Sequence, residues 1–302
     1  MPVVVSKTQQ SIRQRIAART PASLRKLVRM ALNYVNRLTM WLDVLRELKP
    51  ANAHSRLIIW TSLAAAPITA LSQLDSYQQP VLLDDVSVII DGVGRFAIRA
   101  RTDDLLHVLS AREPKVRQVL ERQLSNGGTF VDGGANIGFY SLLAARKVGQ
   151  SGRVVAFEMM PDTSAILRSH VADNSPLPIQ VIERALSDQG GKFITANVEP
   201  GKHGQASIIV GSAIAGRDQI NVETTTLDEA LAHIGDIDVI KLDLEGAEFM
   251  ALSGARSVLA RTDCLIFESN EEDRRIFELL DVSGFVVERL EAFDFVAKKR
   301  TV

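Results

Sequence analysis

Residues 130–138, Phe-Val-Asp-Gly-Gly-Ala-Asn-Ile-Gly, carry an apolar stretch into an acid and then into a turn of small residues. Twenty residues beyond Gly138 a second apolar stretch, Val154-Val155-Ala156-Phe157, ends in Glu158. A strand, a slight turn, a helix start and a second strand tipped by a carboxylate are the parts from which a βαβ unit builds a nucleoside site. Gly134, Asn136 and Gly138 take alternate positions of the turn, which lets backbone approach a ligand and lets the amides of the next helix face it. Glu158 offers the paired acceptors that two ribose hydroxyls require. Asp132, at the tip of the first strand, can accept from loop amides or from an ammonium group. A pyrophosphate would be repelled there, so the site suits S-adenosylmethionine, with its amino-acid ammonium, better than a dinucleotide. Ala185 and Leu186 follow the third strand and offer a small and an apolar side chain beside the adenine.

The second segment with chemistry in it runs from Asp238 to Glu248, Asp-Val-Ile-Lys-Leu-Asp-Leu-Glu-Gly-Ala-Glu. Lys241 inside a buried strand is costly unless a carboxylate pairs with it. Asp243 and Glu245 fall at the carboxyl end of that strand, where open α/β sheets bind ligands. Either can take the proton of a substrate hydroxyl as it attacks a methyl group. They can also hold a Mg²⁺-like divalent metal that acidifies the hydroxyl, a reading not favoured here. The plainer roles are an ion pair for Asp243 and a helix-dipole contact for Glu248. His203, between Gly201 and Gly204, is the candidate imidazole base. His54, His107, His170 and His233 read as peripheral. Glu268 ends the fifth strand beside the same pocket.

Regular elements must position these groups. Strands are predicted at 129–133, 153–158, 179–183, 237–243, 263–268, 284–289 and 293–299, and helices at 137–148, 161–173, 227–233, 247–260 and 271–282. That alternation means a parallel sheet covered on both faces. So few residues separate the last two strands that they must form an antiparallel hairpin. Residues 190–226 read as an inserted hairpin near the ligand face. Residues 81–101 alternate about Asp91-Gly92-Val93-Gly94 and form a hairpin ahead of the main domain; residues 113–124 return to helical spacing.

The chain divides into a basic helical extension, residues 1–80, and a main domain, residues 81–302. Residues 1–50 hold ten basic side chains against Asp43 and Glu47, a net +8, so the remainder carries −9. Self-docking or a solvated face is the expectation for that arm. Only Tyr34 and Trp41 fall among its charges, too few for a base-stacking surface, so nucleic acid is not expected as a partner. After Thr20-Pro21, which reads as a helix start, Leu24, Val28, Ala31, Val35, Leu38, Leu42 and Leu45 form a heptad seam on a helix that stops near Pro50. That helix either packs on its own chain or dimerises with a second copy. The apolar stretch from Leu57 to Leu71 contains Pro67 and falls short of the roughly 20 residues of a membrane span; a buried helix, or two short ones, is expected. With no secretory signal and one cysteine, Cys264, the chain fits a reducing, cytoplasmic setting.

Together these residues resemble the FkbM family of methyltransferases from about residue 113 to the C-terminus. The likeness lies in Val-Asp-Gly-Gly-Ala-Asn-Ile-Gly at 131–138, Val-Ala-Phe-Glu at 155–158 and Ala-Leu-Ser-Asp at 185–188. It continues in Thr-Leu-Asp-Glu at 226–229, Ile-Lys-Leu-Asp-Leu-Glu-Gly-Ala-Glu at 240–248 and Phe-Glu at 267–268. The first motif is common among class I methyltransferases, whereas the lysine-acid run is far more specific. The resemblance implies a Rossmann-like, seven-stranded, mostly parallel α/β sheet with an antiparallel last strand. It also implies methyl transfer from S-adenosylmethionine to oxygen on a sugar, glycan or small metabolite. Gly133 replaces a branched apolar residue and Met159 a proline, which is expected to loosen the first strand's end and the ribose loop. An NAD(P)-linked oxidoreductase using the same turn is the alternative; the closing hairpin and Asp132 speak against it.

Overall fold

A computed structural model describes residues 22–72, 80–109, 112–198, 218–269, 273–291 and 293–300. Thr20-Pro21, His203 and most of the expected insertion lie outside the described residues. The first elements are α1 (Ala22–Glu47), β1 (Leu48–Pro50) and α2 (Ala53–Ser72), followed by β2 (Val86–Ile90), β3 (Gly94–Ile98), α3 (Asp104–His107) and α4 (Pro114–Gln123). Next come β4 (Thr129–Gly133), α5 (Phe139–Val148), β5 (Arg153–Phe157), α6 (Pro161–Asp173), β6 (Ile179–Ile182), β7 (Ala185–Leu186), β8 (Phe193–Val198) and β9 (Asp218–Thr225). The chain continues through α7 (Leu227–Ala230), β10 (Ile237–Leu242), α8 (Glu248–Ser253), α9 (Arg256–Ala260), β11 (Thr262–Glu268), α10 (Arg274–Val282), β12 (Phe285–Arg289) and β13 (Asp294–Lys299).

Seven strands form one sheet in the order β12-β13-β11-β10-β4-β5-β6. The pairs from β6 to β11 are parallel, and β13 runs antiparallel to both its neighbours, β11 and β12. Helices cover both faces of the central strands, so β4, β5 and β10 are mostly apolar with almost every residue buried, Asp132 and Lys241 being the polar exceptions in their interiors. On one face Phe267 stacks on Phe295 at 5.6 Å, with Phe157, Leu242 and Phe285 in the same core. β8 and β9 form the expected antiparallel hairpin, and β9 also pairs with β7 in parallel.

Thr-Leu-Asp-Glu at 226–229 is a structural device. Thr226 and Glu229 form a capping box on α7, and Asp228 accepts from the amides of Ser257 and Val258 to start α9. That cap explains why the single helix expected over 247–260 is two, α8 and α9. The helix expected over 227–233 ends at Ala230.

The N-terminal helices differ from expectation in the faces they bury. α1 packs on the domain through Arg37, Trp41 and Val44, with Leu48 following, while Val28, Val35, Leu38, Leu42 and Leu45 of the heptad seam stay exposed. α2 is one helix with Pro67 inside it, and Leu57, Trp60 and Ile68 face outward, so it is only half-buried. Among the described residues no helix is long and apolar enough to cross a membrane.

The β2–β3 hairpin is built into the domain by two side chains of α6. Nε2 of His170 accepts from the Ala97 amide at 2.9 Å while Nδ1 donates to the Ile137 carbonyl at 2.8 Å. Asn174, one turn on, accepts from the Arg95 amide and donates to the Arg95 carbonyl, both at 2.8 Å. The two side chains thus satisfy the open edge of β3 as a neighbouring strand would. Gly94 makes room, since a Cβ there would stand 2.3 Å from Asn174 Oδ1. His170, read from sequence as peripheral, is 0% exposed, and its burial lowers its pKa. The unfolded chain takes up a proton below about pH 6.5 that this neutral, buried ring resists, so stability must fall on acidification through that range. Replacing His170 with Phe should orphan the Ala97 amide, cost about 1–3 kcal/mol at pH 7.5 and flatten the acid slope. Urea unfolding at pH 7.5 and 5.5 measures both effects.

Candidate active site

Register places the functional groups along the carboxyl edge of the sheet. Lys241 of β10 lies directly across from Asp132 of β4, and Glu268 of β11 across from Asp294 of β13. Lys241 is 4% exposed, and its Nζ donates to Asp243 Oδ2 at 3.0 Å while lying 5.0 Å from the Tyr140 ring centre. Burial opposes the ammonium charge, but Asp243, Glu113 and Asp132 outweigh it and raise the pKa of Lys241 above its ordinary value. For Asp243 burial opposes ionisation, yet Lys241 and Arg112 hold it well below the usual carboxylate range. The ion pair expected from the sequence is present, and it leaves Asp243 a weak base.

One cavity, about 970 Å³ including its open mouth, joins this edge to the glycine turn; Asp132, Gly134, Asn136, Glu158, Ala185, Leu186, Asp243 and Glu245 all line it. Gly138 lies just behind, at the start of α5, with φ 91°. Gly134 has φ 79°, and a Cβ on it would stand 2.0 Å from the Asp243 carbonyl oxygen, so the close crossing of the two strand ends requires glycine. At Gly133 the space of the missing side chain is filled by Leu242 and Leu186, 2.7 and 3.0 Å from where a Cβ would be. At Met159 the neighbouring Met160 amide donates to Glu158 Oε1 at 2.9 Å, and Pro161 opens α6.

Three buried polar atoms on the cavity wall have no partner in the protein: Asp132 Oδ1 and both side-chain polar atoms of Asn136. Buried polar groups are almost always paired, so orphans converging on a cavity mark where a ligand's own polar groups belong. The other oxygen of Asp132 accepts from Ser141 Oγ at 2.6 Å, and burial, against Lys241 and Ser141, raises its pKa. Glu158 is 7% exposed and accepts from the amides of Asn136 and Met160, each at 2.9 Å. Burial nonetheless pushes its carboxyl up to about 7. These residues fit an adenosyl ligand with an ammonium group: acceptors stand at both ends of a crevice floored by apolar and small side chains.

On the acceptor side, Glu245 sits at the cavity mouth with φ 52°, and much of the residue meets solvent. Desolvation of its carboxyl, then Asp243, raise it to about 7. Desolvation and Asp243 likewise lift Glu268 to about 8. Glu248 does more than complement a helix dipole, since its Oε1 accepts from the Leu244 amide at 2.7 Å and holds the loop that carries Glu245. Among the described residues no group of three or more metal-ligating side chains is gathered to hold a metal ion.

Sequence reasoning missed the wall that faces Asp243. Leu109, Arg112 and Glu113 line the cavity, as does His107, which had read as peripheral. Tyr140 donates to Glu113 Oε2 at 2.9 Å, and Arg112 pairs with Glu113 at 2.9 Å. A four-residue helix and a loop have no periodicity to betray them. The helical spacing over 113–124 points to α4 and to nothing of this wall.

Sheet order, the antiparallel strand beside its edge and the acid-tipped cradle define a class I methyltransferase. The methyltransferase FkbM domain model matches residues 132–296, and the chain belongs to that family. No protein of curated function matches. Among solved structures, a SAM-dependent O-methyltransferase of Thermotoga maritima shares 13% identity over 72% of this chain and 78% of that one, with a TM-score of 0.42. A putative rRNA methylase of Clostridium thermocellum shares 13% over 62% and 95% (TM-score 0.41). Aeropyrum pernix fibrillarin, solved with S-adenosyl-L-methionine, shares 10% over 70% and 92% (TM-score 0.40). Family membership rests on the sequence match and none of these likenesses adds to it.

Replacing Lys241 with Met should leave Asp132 and Asp243 beside each other with only the more distant Arg112 to offset their charge. The expected loss is about 3–5 kcal/mol, with part recovered in the Lys241→Met, Asp243→Asn double variant. Urea denaturation of the two proteins reads the difference.

Proposed function

We propose that this methyltransferase moves the methyl group of S-adenosylmethionine to a hydroxyl oxygen of a sugar, glycan or other small metabolite. The observation that carries the reading is the set of orphaned acceptors and donors, Asp132 Oδ1 and the Asn136 amide, in the cavity that Glu158 and Asp243 share. Asp132 would take the amino-acid ammonium, Asn136 and the Gly134–Gly138 turn the rest of that end, Glu158 the ribose, and Ala185 with Leu186 the adenine. When bound, the cofactor supplies a methyl group on a positively charged sulfur. Asp243 and Glu245 on the wall, with Glu268 behind Asp243, make it rich in hydrogen-bonding oxygens, which suits an acceptor with several hydroxyls and opposes an anionic one. Nucleic acid is a poor match for the same reason. The dinucleotide-dehydrogenase alternative finds no support in a family of methyltransferases. His203 remains a proposal from sequence alone. A cytoplasmic setting remains the proposal from the single, buried and unpaired thiol of Cys264.

The exposed stripe of α1 supports a second proposal, pairing with α1 of another copy. Val28, Val35, Leu38, Leu42 and Leu45 keep the strict two-in-seven spacing of a helix seam. Replacing both Leu38 and Leu42 with Glu should convert a dimer to a monomer in light scattering; a wild-type chain that is monomeric at high concentration would exclude the pairing.

S-adenosylhomocysteine should bind in a calorimetric titration, and no binding at millimolar ligand would overturn the cofactor assignment. Ribose hydroxyls need an ionised Glu158, so affinity should hold above pH 7 and fall about tenfold per unit below it. Glu158→Gln should weaken binding by about 1.5–3 kcal/mol and remove that pH dependence.

A further inference from the structure

We propose that His107 is the base that takes the proton from the acceptor hydroxyl, with Asp103 as its positioning residue; the inference rests on the methyl-transfer reading above. His107 closes α3 and lies on the wall of the shared cavity, opposite the strand end that carries Asp243. Opposite neighbours engage its two ring nitrogens. Nδ1 contacts Nη1 of Arg112, and Nε2 faces Oδ2 of Asp103, one helical turn back, at 3.5 Å, a charge contact and not a hydrogen bond. A guanidinium can only donate and a carboxylate can only accept. The tautomer follows: the proton is on Nε2, toward Asp103, and the lone pair is on Nδ1.

The depth of each group agrees with this order. The Asp103 side chain is 4% exposed and the imidazole 14%, so the acid lies behind the ring and the ring forms the wall. An orienting acid, an imidazole, then open cavity is the arrangement in which a neutral histidine serves as a general base. Arg112 occupies the place on Nδ1 that an acceptor O–H would take. Its Nε is separately bonded to Glu113 Oε1 at 2.9 Å, so Nη1 can yield to a hydroxyl while the side chain stays anchored.

The charged groups facing His107 are Asp103 on its own helix, Arg112 and Glu113 from the following loop, and Asp243 and Glu245 from the end of β10. Among the carboxylates, Lys241 keeps Asp243 too acidic to compete for the proton. Glu245 and Glu268, raised to about 7 and about 8, are the rival bases, and neither has the orienting acid that stands behind His107. In the step itself the O–H proton passes to Nδ1 and an oxygen lone pair bonds the methyl carbon. The electron pair of the broken carbon–sulfur bond stays on sulfur, so the sulfonium charge is exchanged for an imidazolium charge beside Asp103. The segment that supplies His107 and Arg112 precedes the residues matched by the family, 132–296. The base would thus arrive with the acceptor wall and not with the shared cofactor half.

The test uses the full chain and three readings. Calorimetry with S-adenosylhomocysteine on wild type and His107→Gln should give equal affinity, and a wild type that does not bind would sink the methyl-transfer reading instead. Nitrogen-15 NMR of labelled histidine, assigned by the signal lost in His107→Gln, should show Nδ1 unprotonated and Nε2 protonated, with Asp103→Asn mixing the two forms. A proton on Nδ1 in the wild type overturns the proposal. Release of S-adenosylhomocysteine from S-adenosylmethionine with a panel of methyl glycosides should drop at least about 100-fold in His107→Gln and shift its pH profile in Asp103→Asn. Wild-type turnover in His107→Gln would also overturn it; a panel with no turnover leaves the decision to the tautomer.

Discussion

A single buried cation holds the cavity together. Lys241 stands in register with Asp132 on the next strand and within 3.0 Å of Asp243, two residues along its own. Two carboxylates at the ends of adjacent parallel strands would repel each other in so dry a place, and neither could be kept ionised without a charge between them. The ammonium supplies that charge from inside the sheet, where it is almost wholly buried. It also lies against Tyr140, whose hydroxyl reaches Glu113 on the opposite wall. The cofactor half and the acceptor half of the cavity therefore share one electrostatic centre.

That arrangement divides labour among the acids by environment alone. Asp243 is kept ionised by its partner and serves to hold Lys241. Glu248 spends its oxygen on loop amides. Glu158, Glu245 and Glu268 lack a cation of their own, and desolvation makes each a hydrogen-bonding group whose charge is negotiable near neutrality. Five carboxylates of the same chemistry thus take up different tasks within one site.

Much of this was legible in the sequence because parallel strands buried on both faces read as unbroken apolar runs. The edges of β4 at 129–133 and of α6 at 161–173 match expectation, and Lys241 announced its partner because an unpaired buried lysine is too costly. Other features depend on side chains meeting across long stretches of chain. The split between α8 and α9 follows from Asp228, nearly thirty residues upstream of the amides it caps. His170 and Asn174 carry no local sign that they complete a strand. The seam of α1 was visible, but which face the domain would cover was not, because Trp41 and Val44 lie on a second apolar stripe of the same helix. The wall made by His107, Leu109, Arg112 and Glu113 escaped notice because loops take their place from what they pack against.

The seat of the β2–β3 hairpin has a consequence for remodelling this enzyme. Strand edges usually find a neighbouring strand or stay open to a stranger's; here a histidine and an asparagine close the gap, and a glycine at 94 gives them clearance. The loop bearing the acceptor wall springs from that hairpin. Exchanging the wall for a relative's, as a way to redirect methyl transfer toward a new acceptor, would have to transplant the clasp along with the loop. Grafts that keep the native α6 but bring a bulkier residue at position 94 should dock askew, and the new pocket would be displaced before it met any substrate.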